Sequence, residues 1–221
     1  GSPTFTRATK AWGFNELGIL RDVPSGCAVL EGARLVKNTI RTTSEDFSNA
    51  SAWNKTGSLT TPSANSLVCA NATSAQYIGQ VAVSPPPTTI GQGFIYGVRV
   101  RSVSGGVPAI QLAPSSLGFG TGQFANISLT DGSVSATGCT AVSNLVAAGT
   151  YDFAIAVTAT ANHATGEAFS IVLADSKAAT RLAAFTGDGI KSVDILRAWS
   201  IEVTGYPSSL SLIHISEPTR L

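Results

Sequence analysis

The chain has 221 residues, 43% of them hydrophobic and only 12% charged, with 14 Lys and Arg against 13 Asp and Glu for a net charge of +1. That length supports a hydrophobic core without a disulfide scaffold, and the apolar runs fall well short of the roughly 20 residues a spanning helix needs, so membrane insertion is not expected. There is no basic cluster to neutralise a row of phosphates, which argues against nucleic acid and anionic membrane as partners.

Gly1-Ser2 reads as an expression scar, and Pro3–Lys10 is polar, with no apolar stretch of the kind that opens a secretory signal. Residues 3–44 carry most of the early charge. Their Gly13, Asn15, Gly18, Pro24, Gly26 and Gly32 interrupt every helical period, so this segment is expected to be an irregular N-terminal arm with one or two short strands.

Residues 45–209 have a different texture. Between Thr56 and Thr150 only Arg99, Arg101 and Asp131 are charged, while Ser, Thr, Gly and Ala dominate. In Gln92–Arg101, Phe94, Tyr96, Val98 and Val100 form one apolar row and Arg99 and Arg101 fall on the opposite one, the alternation of a half-buried strand. Tyr151, Phe153, Ile155 and Val157 repeat it with Asp152 on the far side, and Phe169, Ile171 and Leu173 repeat it again. Further strands are expected within 66–70, 75–83, 107–112, 123–129, 139–146 and 191–203. Short strands at this spacing, with turns such as Ser104–Gly106, Asp131–Gly132 and Gly187–Gly189, predict an all-β fold: an antiparallel β-sandwich of jelly-roll or concanavalin-like type.

Cys27, Cys69 and Cys139 lack metal-type spacing, and both buried free thiols and a Cys69–Cys139 bridge are open readings. Residues 210–220, eleven in a row, resemble the translation of a transposon-end sequencing adapter. This implies a shotgun, metagenomic reading frame cut near Ser209, with residues 210–221 a non-native tail. His163 is then the remaining histidine, in the polar turn Asn162–Gly166.

Enzyme chemistry is thinly supplied. No GxSxG, HExxH or phosphate-cradling glycine loop occurs, and carboxylate pairs for glycoside hydrolysis could be drawn only loosely among Asp131, Asp152, Glu167, Asp175, Asp188 and Asp194. No catalytic residue is assigned, and a non-enzymatic protein is expected. Binding suits the inventory better, because planar polar groups read hydroxyls and aromatic faces meet the C–H surfaces of sugars. Arg99 and Arg101 stand two apart on the non-core side of a strand with Gly97 beside them, placed to line a glycan cleft together with Asp152 on the neighbouring pattern; a solubilised sheet face is the plain alternative. Arg197 shares the register of Val193, Ile195, Trp199, Ile201 and Val203, so either a bulge re-aims it or it stacks near Trp199 at a cleft edge. Trp53 and Trp199 read as core residues, although Trp199 joins the ligand candidates through Arg197. Trp12, in the turn-rich arm, is the tryptophan expected to be exposed.

Phe5–Thr9, Leu30–Arg34 with Asn38, and Ser44–Ala50 with Trp53 resemble a recurring pattern of phage structural proteins. The closing Trp199–Glu202 with Tyr206–Ser209 is similar to that family's end. Lys37 and Thr39 depart from the family rhythm. The resemblance implies a module similar to carbohydrate-binding jelly rolls of tail and virion proteins, partnered by a glycan or polysaccharide, in a virion or extracellular setting. A purely structural virion domain in a homo-oligomer is the alternative, and a fragment of a polysaccharide-degrading enzyme a third reading. The same resemblance implies a structural calcium held near Asp46 and Asp194, although Ser48 stands where a further acidic ligand is expected.

Overall fold

The computed structural model describes residues 11–14, 20–23, 45–80, 87–164 and 168–203. The chain divides into two compact units, Gly1–Lys37 and Asn38–Leu221. In the first, β1 (Ala11–Phe14) and β2 (Leu20–Val23) form an antiparallel hairpin.

The second unit is an all-β sandwich. Its strands are β3 (Trp53–Thr56), β4 (Ser66–Val68), β5 (Thr73–Ser74), β6 (Tyr77–Gln80), β7 (Gly93–Ser102), β8 (Ala109–Pro114), β9 (Phe124–Ser128), β10 (Val134–Thr137), β11 (Thr140–Ala147), β12 (Thr150–Thr158), β13 (Phe169–Ala174), β14 (Phe185–Thr186) and β15 (Ser192–Val203). One antiparallel sheet has the order β10-β9-β8-β13-β6-β3 and the other β11-β12-β7-β15-β4; β5 and β14 pair separately. The chain crosses between the two large sheets repeatedly, so most neighbours within a sheet are distant in sequence.

The alternation read from the sequence holds. Phe94, Tyr96, Val98 and Val100 on β7, and Tyr151, Phe153, Ile155 and Val157 on β12, all lie in the core between the sheets. They meet Ile110, Leu112, Ile171 and Leu173 from the six-stranded sheet. The centre is aromatic: Tyr96 stacks on Phe169 with ring centroids 4.9 Å apart, and Trp53 meets Phe169 edge-on at 6.0 Å. Each fully buried side chain of this size contributes on the order of 1.5–3 kcal/mol through apolar area removed from water. Trp53 is a core residue, as expected.

Four described strands have no counterpart among the expected ones: β3, β5, β10 and β14, each of two to four residues and too short to show a period. A single turn of helix, α1 (Ser116–Phe119), interrupts the all-β pattern; the Ser115 hydroxyl accepts from the Leu117 N–H at its start, and the turn drops Phe119 into the core against Phe94 and Tyr96. Cys69 and Cys139 are free thiols, Cys69 buried and Cys139 half-buried. Burial raises the Cys139 thiol pKa. Cys27, Glu167, His214 and the tail from residue 210 lie outside the described residues.

Candidate functional site

The outer face of the five-stranded sheet gathers most of the candidate residues, and the register shows how. Asn144 on β11 stands opposite Asp152 on β12, Asp152 opposite Arg99 on β7, and Arg99 opposite Arg197 on β15. Four planar polar side chains therefore cross four strands in one row. Within it Arg99 Nε donates to Asp152 Oδ1 at 2.8 Å and Nη2 to Oδ2 at 2.9 Å, a two-pronged pair with each side chain 23% exposed. One step along the same face, Arg101 donates to Asp194 Oδ2 from Nη2 at 2.6 Å and from Nε at 3.1 Å.

Arg197 joins this row because β15 carries a bulge. Its pairing with β7 shifts register between Ile195 and Arg197, so Val193 and Ile195 point into the core whereas Arg197, Trp199 and Ile201 share the outer face. Asn65 holds the bulge in place. Its carbonyl accepts from the Ile195 N–H at 2.8 Å and its side-chain amide donates to the Ile195 carbonyl at 3.0 Å.

Trp199 is buried, as expected, and the bulge decides on which side of the sheet. The residue lies on the side away from the central core, in a small cluster with Ile95 and Ala154 flanked by Ala156 and Ile201. Its indole lies directly over Gly97, where any Cβ would overlap the ring, and the Arg197 guanidinium sits 5.5 Å from the ring centroid. The indole is only 6% exposed, so it supports Arg197 from beneath rather than offering a face to a ligand. The outer face thus has two strips side by side, an apolar one (Ile95, Ala154, Ala156, Trp199, Ile201) and the polar row. Asn144, exposed at the end of that row, was not among the sequence candidates; its only signal was its place opposite Asp152, which needs the pairing of β11 with β12 to be known. Trp12 belongs to β1 in the N-terminal unit, and its side chain lies outside the described residues.

The two segments implied in calcium binding do come together, but through an amide. Asn65 Nδ2 donates to the carbonyls of Glu45 (3.1 Å) and Ile195 (3.0 Å) and lies 3.4 Å from that of Leu196. N–H donors thus occupy the position where these carbonyl oxygens converge. Asp46 Oδ1 accepts from the Ser48 N–H and hydroxyl, at 3.0 and 2.6 Å, and Asp194 is held by Arg101. Among the described residues no three of His, Cys, Asp and Glu are placed to hold a metal ion, and this donor set does not fit the six to eight oxygens that calcium takes.

Asp131, Asp188 and Asp175 have local duties. Asp131 accepts from the Ser133 hydroxyl and N–H, which hold it well below the usual carboxylate range. Asp188 is lowered to about 2, chiefly by the Lys191 N–H and then by that of Ile190. Asp175 accepts from the Thr186 N–H at 3.3 Å. His163 exchanges main-chain hydrogen bonds with Thr88 at the far end of the sandwich.

This geometry defines a class: an antiparallel β-sandwich with one amphipathic, ion-paired outer face. Compared with known proteins, the chain matches no protein-family model and no curated protein.

Proposed function

We propose that the sandwich is a non-catalytic carbohydrate-binding module and that the glycan lies across the outer face of the five-stranded sheet. The observation that carries this reading is the pair of parallel strips. A sugar ring has an apolar C–H face and a rim of hydroxyls, and here the half-buried Ala156 and Ile201, packed on the buried Ile95, Ala154 and Trp199, lie beside a row of fixed, planar donors and acceptors (Asn144, Asp152, Arg99, Arg197). Because Arg99 and Arg101 are each already neutralised by an aspartate, the face favours a neutral, hydroxyl-rich glycan over one that brings its own carboxylates. The engagement of Asp46, Asp131, Asp152, Asp175, Asp188 and Asp194 in turns or ion pairs supports a role without catalysis. The resemblance of 30–53 to phage structural proteins supports a virion or extracellular setting.

Affinity electrophoresis against neutral and uronate-containing polysaccharides tests this. At least one neutral polysaccharide should retard the protein, and Arg99→Ala with Asp152→Ala together should abolish the shift while Asp131→Ala leaves it. If no polysaccharide retards the chain, or the double variant is retarded equally, the reading is wrong. The structural virion domain is the second reading, and it draws on a different feature, the uncovered edge of the same sheet.

A further inference from the structure

The edge of a sheet presents unpaired N–H and C=O groups to any extended chain, and folded proteins blunt such edges with shortness, charge or cover. Three edges of the sandwich are blunted. β4 is three residues long, and Thr60 exchanges two main-chain hydrogen bonds of 2.9 Å with Val68 along it. β3 is four residues long and carries Lys55 on the core side of the sheet, in line with Trp53. β10 is also four residues long. β11 is the exception. It runs eight residues, Thr140–Ala147, with no charged residue and no proline; its register with β12 is regular from Thr140 to Leu145 and shifts only at its end, between Leu145 and Ala147, and among the described strands it pairs only with β12. Asn144, Leu145, Val146 and Ala147 are all exposed, and Leu145, on the core side of the sheet opposite Tyr151, is 62% exposed.

We propose that β11 pairs antiparallel with β11 of a second copy about a two-fold axis, joining the two five-stranded sheets into one. The strand is its own complement for three reasons. Antiparallel pairing of identical strands satisfies outward donors and acceptors reciprocally. A strand without charge meets its copy without like-charge repulsion. With the axis at Ser143, the row Ala141, Ser143 and Leu145 stays on the core side in both copies, and each Leu145 lies opposite the other copy's Ala141. The partner then covers the leucine that the sandwich leaves in water.

A contact confined to one edge falls short of the roughly 800 Å² per partner typical of a stable interface, so the dimer forms only at high concentration. Sedimentation velocity from about 10 μM to about 1 mM, the range suited to weak association, should show a shift from monomer to dimer. Asn144→Lys and Leu145→Lys, both at exposed positions, should each remain monomeric throughout while keeping the parent melting temperature. Mixing Asn144→Lys with Asn144→Glu should restore the dimer, since residues 144 of the two copies lie diagonally across the axis on one face. A chain that stays monomeric over the whole range overturns the proposal, as does a dimer that the lysine variants leave intact. Asn144 also stands in the proposed glycan row, so glycan binding is read on Leu145→Lys, whose side chain lies on the other side of the sheet: loss of the dimer with glycan retardation retained separates the two readings.

Discussion

The two outer faces of the sandwich solve the same problem in opposite ways. On the six-stranded sheet, Gln111 and Asn126 are cross-strand neighbours and both fully buried. The Gln111 amide donates to Asn126 Oδ1 at 2.8 Å and to the Thr180 carbonyl at 3.0 Å, and its oxygen accepts from the Leu182 N–H at 2.8 Å. Asn126 donates to the Lys177 and Ala179 carbonyls at 3.1 and 2.8 Å, and Arg181 Nη2 donates to the Pro114 carbonyl at 2.6 Å. The loop 175–184 is thereby strapped over the sheet, and Ala113, Val172 and Ala174 beneath it are buried. On the five-stranded sheet no described loop is tied down in this way, and the polar groups are ion pairs in partial contact with water. Buried neutral amides close a face, whereas half-exposed charge pairs leave their own row in contact with water while holding each side chain in a fixed position. This contrast is why a ligand is assigned to the five-stranded side.

The largest effect that can break the contrast is at Gly97. Gly97→Val puts a branched side chain into the space of the Trp199 indole, forcing the ring off the sheet and Arg197 with it. A loss of about 3 kcal/mol is expected, combining overpacking with the exposure of a buried aromatic. The urea midpoint should fall, and tryptophan emission should shift to the red. An unchanged midpoint and spectrum would mean that the indole does not rest on Gly97, and the support beneath Arg197 would be lost from the account.

Next is the strap. Gln111→Leu removes the partner of the Leu182 N–H, the Thr180 carbonyl and Asn126 Oδ1 together. Leaving buried groups unsatisfied costs about 1–3 kcal/mol, so a loss of about 2 kcal/mol is expected, with faster tryptic cleavage at Lys177 and Arg181. If stability falls but the cleavage rate does not change, the amides hold the sheet and not the loop, and the six-stranded face is less closed than its hydrogen bonds indicate.

The unequal legibility of the two faces follows from the same physics. Period-two hydrophobicity is a local signal, so the inward rows of β7 and β12 and the outward positions of Arg99, Arg101 and Asp152 were readable residue by residue. For Arg197 the bulge is present and it puts the guanidinium over the Trp199 indole, so the two alternatives, a bulge or stacking near Trp199 at a cleft edge, meet in the ring contact. The burial of Trp199 was readable but the side of the sheet on which it is buried was not, because a bulge inverts the face of every residue after it, and the residue that holds this one, Asn65, lies 130 positions away in sequence. The strap was invisible for a related reason. Gln111 and Asn126 occupy outward positions in strands whose other face is core, and only the loop that covers them makes them buried. Non-local pairing also hid Asn144, whose neighbours β12 and β7 had to be placed before it joined a row.

The smallest expected effect separates the faces most finely. Arg99 and Asp152 form a two-pronged pair, but each is 23% exposed, so water and salt compete for both. A double-mutant cycle with Arg99→Ala and Asp152→Ala should give a coupling of about 0.5–1 kcal/mol, the range for pairs in contact with solvent. That coupling should shrink toward zero as ionic strength rises to about 1 M, where the Debye length is about 3 Å. Removing Gln111 should cost the same at either ionic strength, because no charge is involved and no water reaches the gap. If the ion-pair coupling instead exceeds about 2 kcal/mol and ignores salt, the pair behaves as a desolvated one. The five-stranded face would then be as closed as its counterpart, and a glycan would have to displace something to reach it.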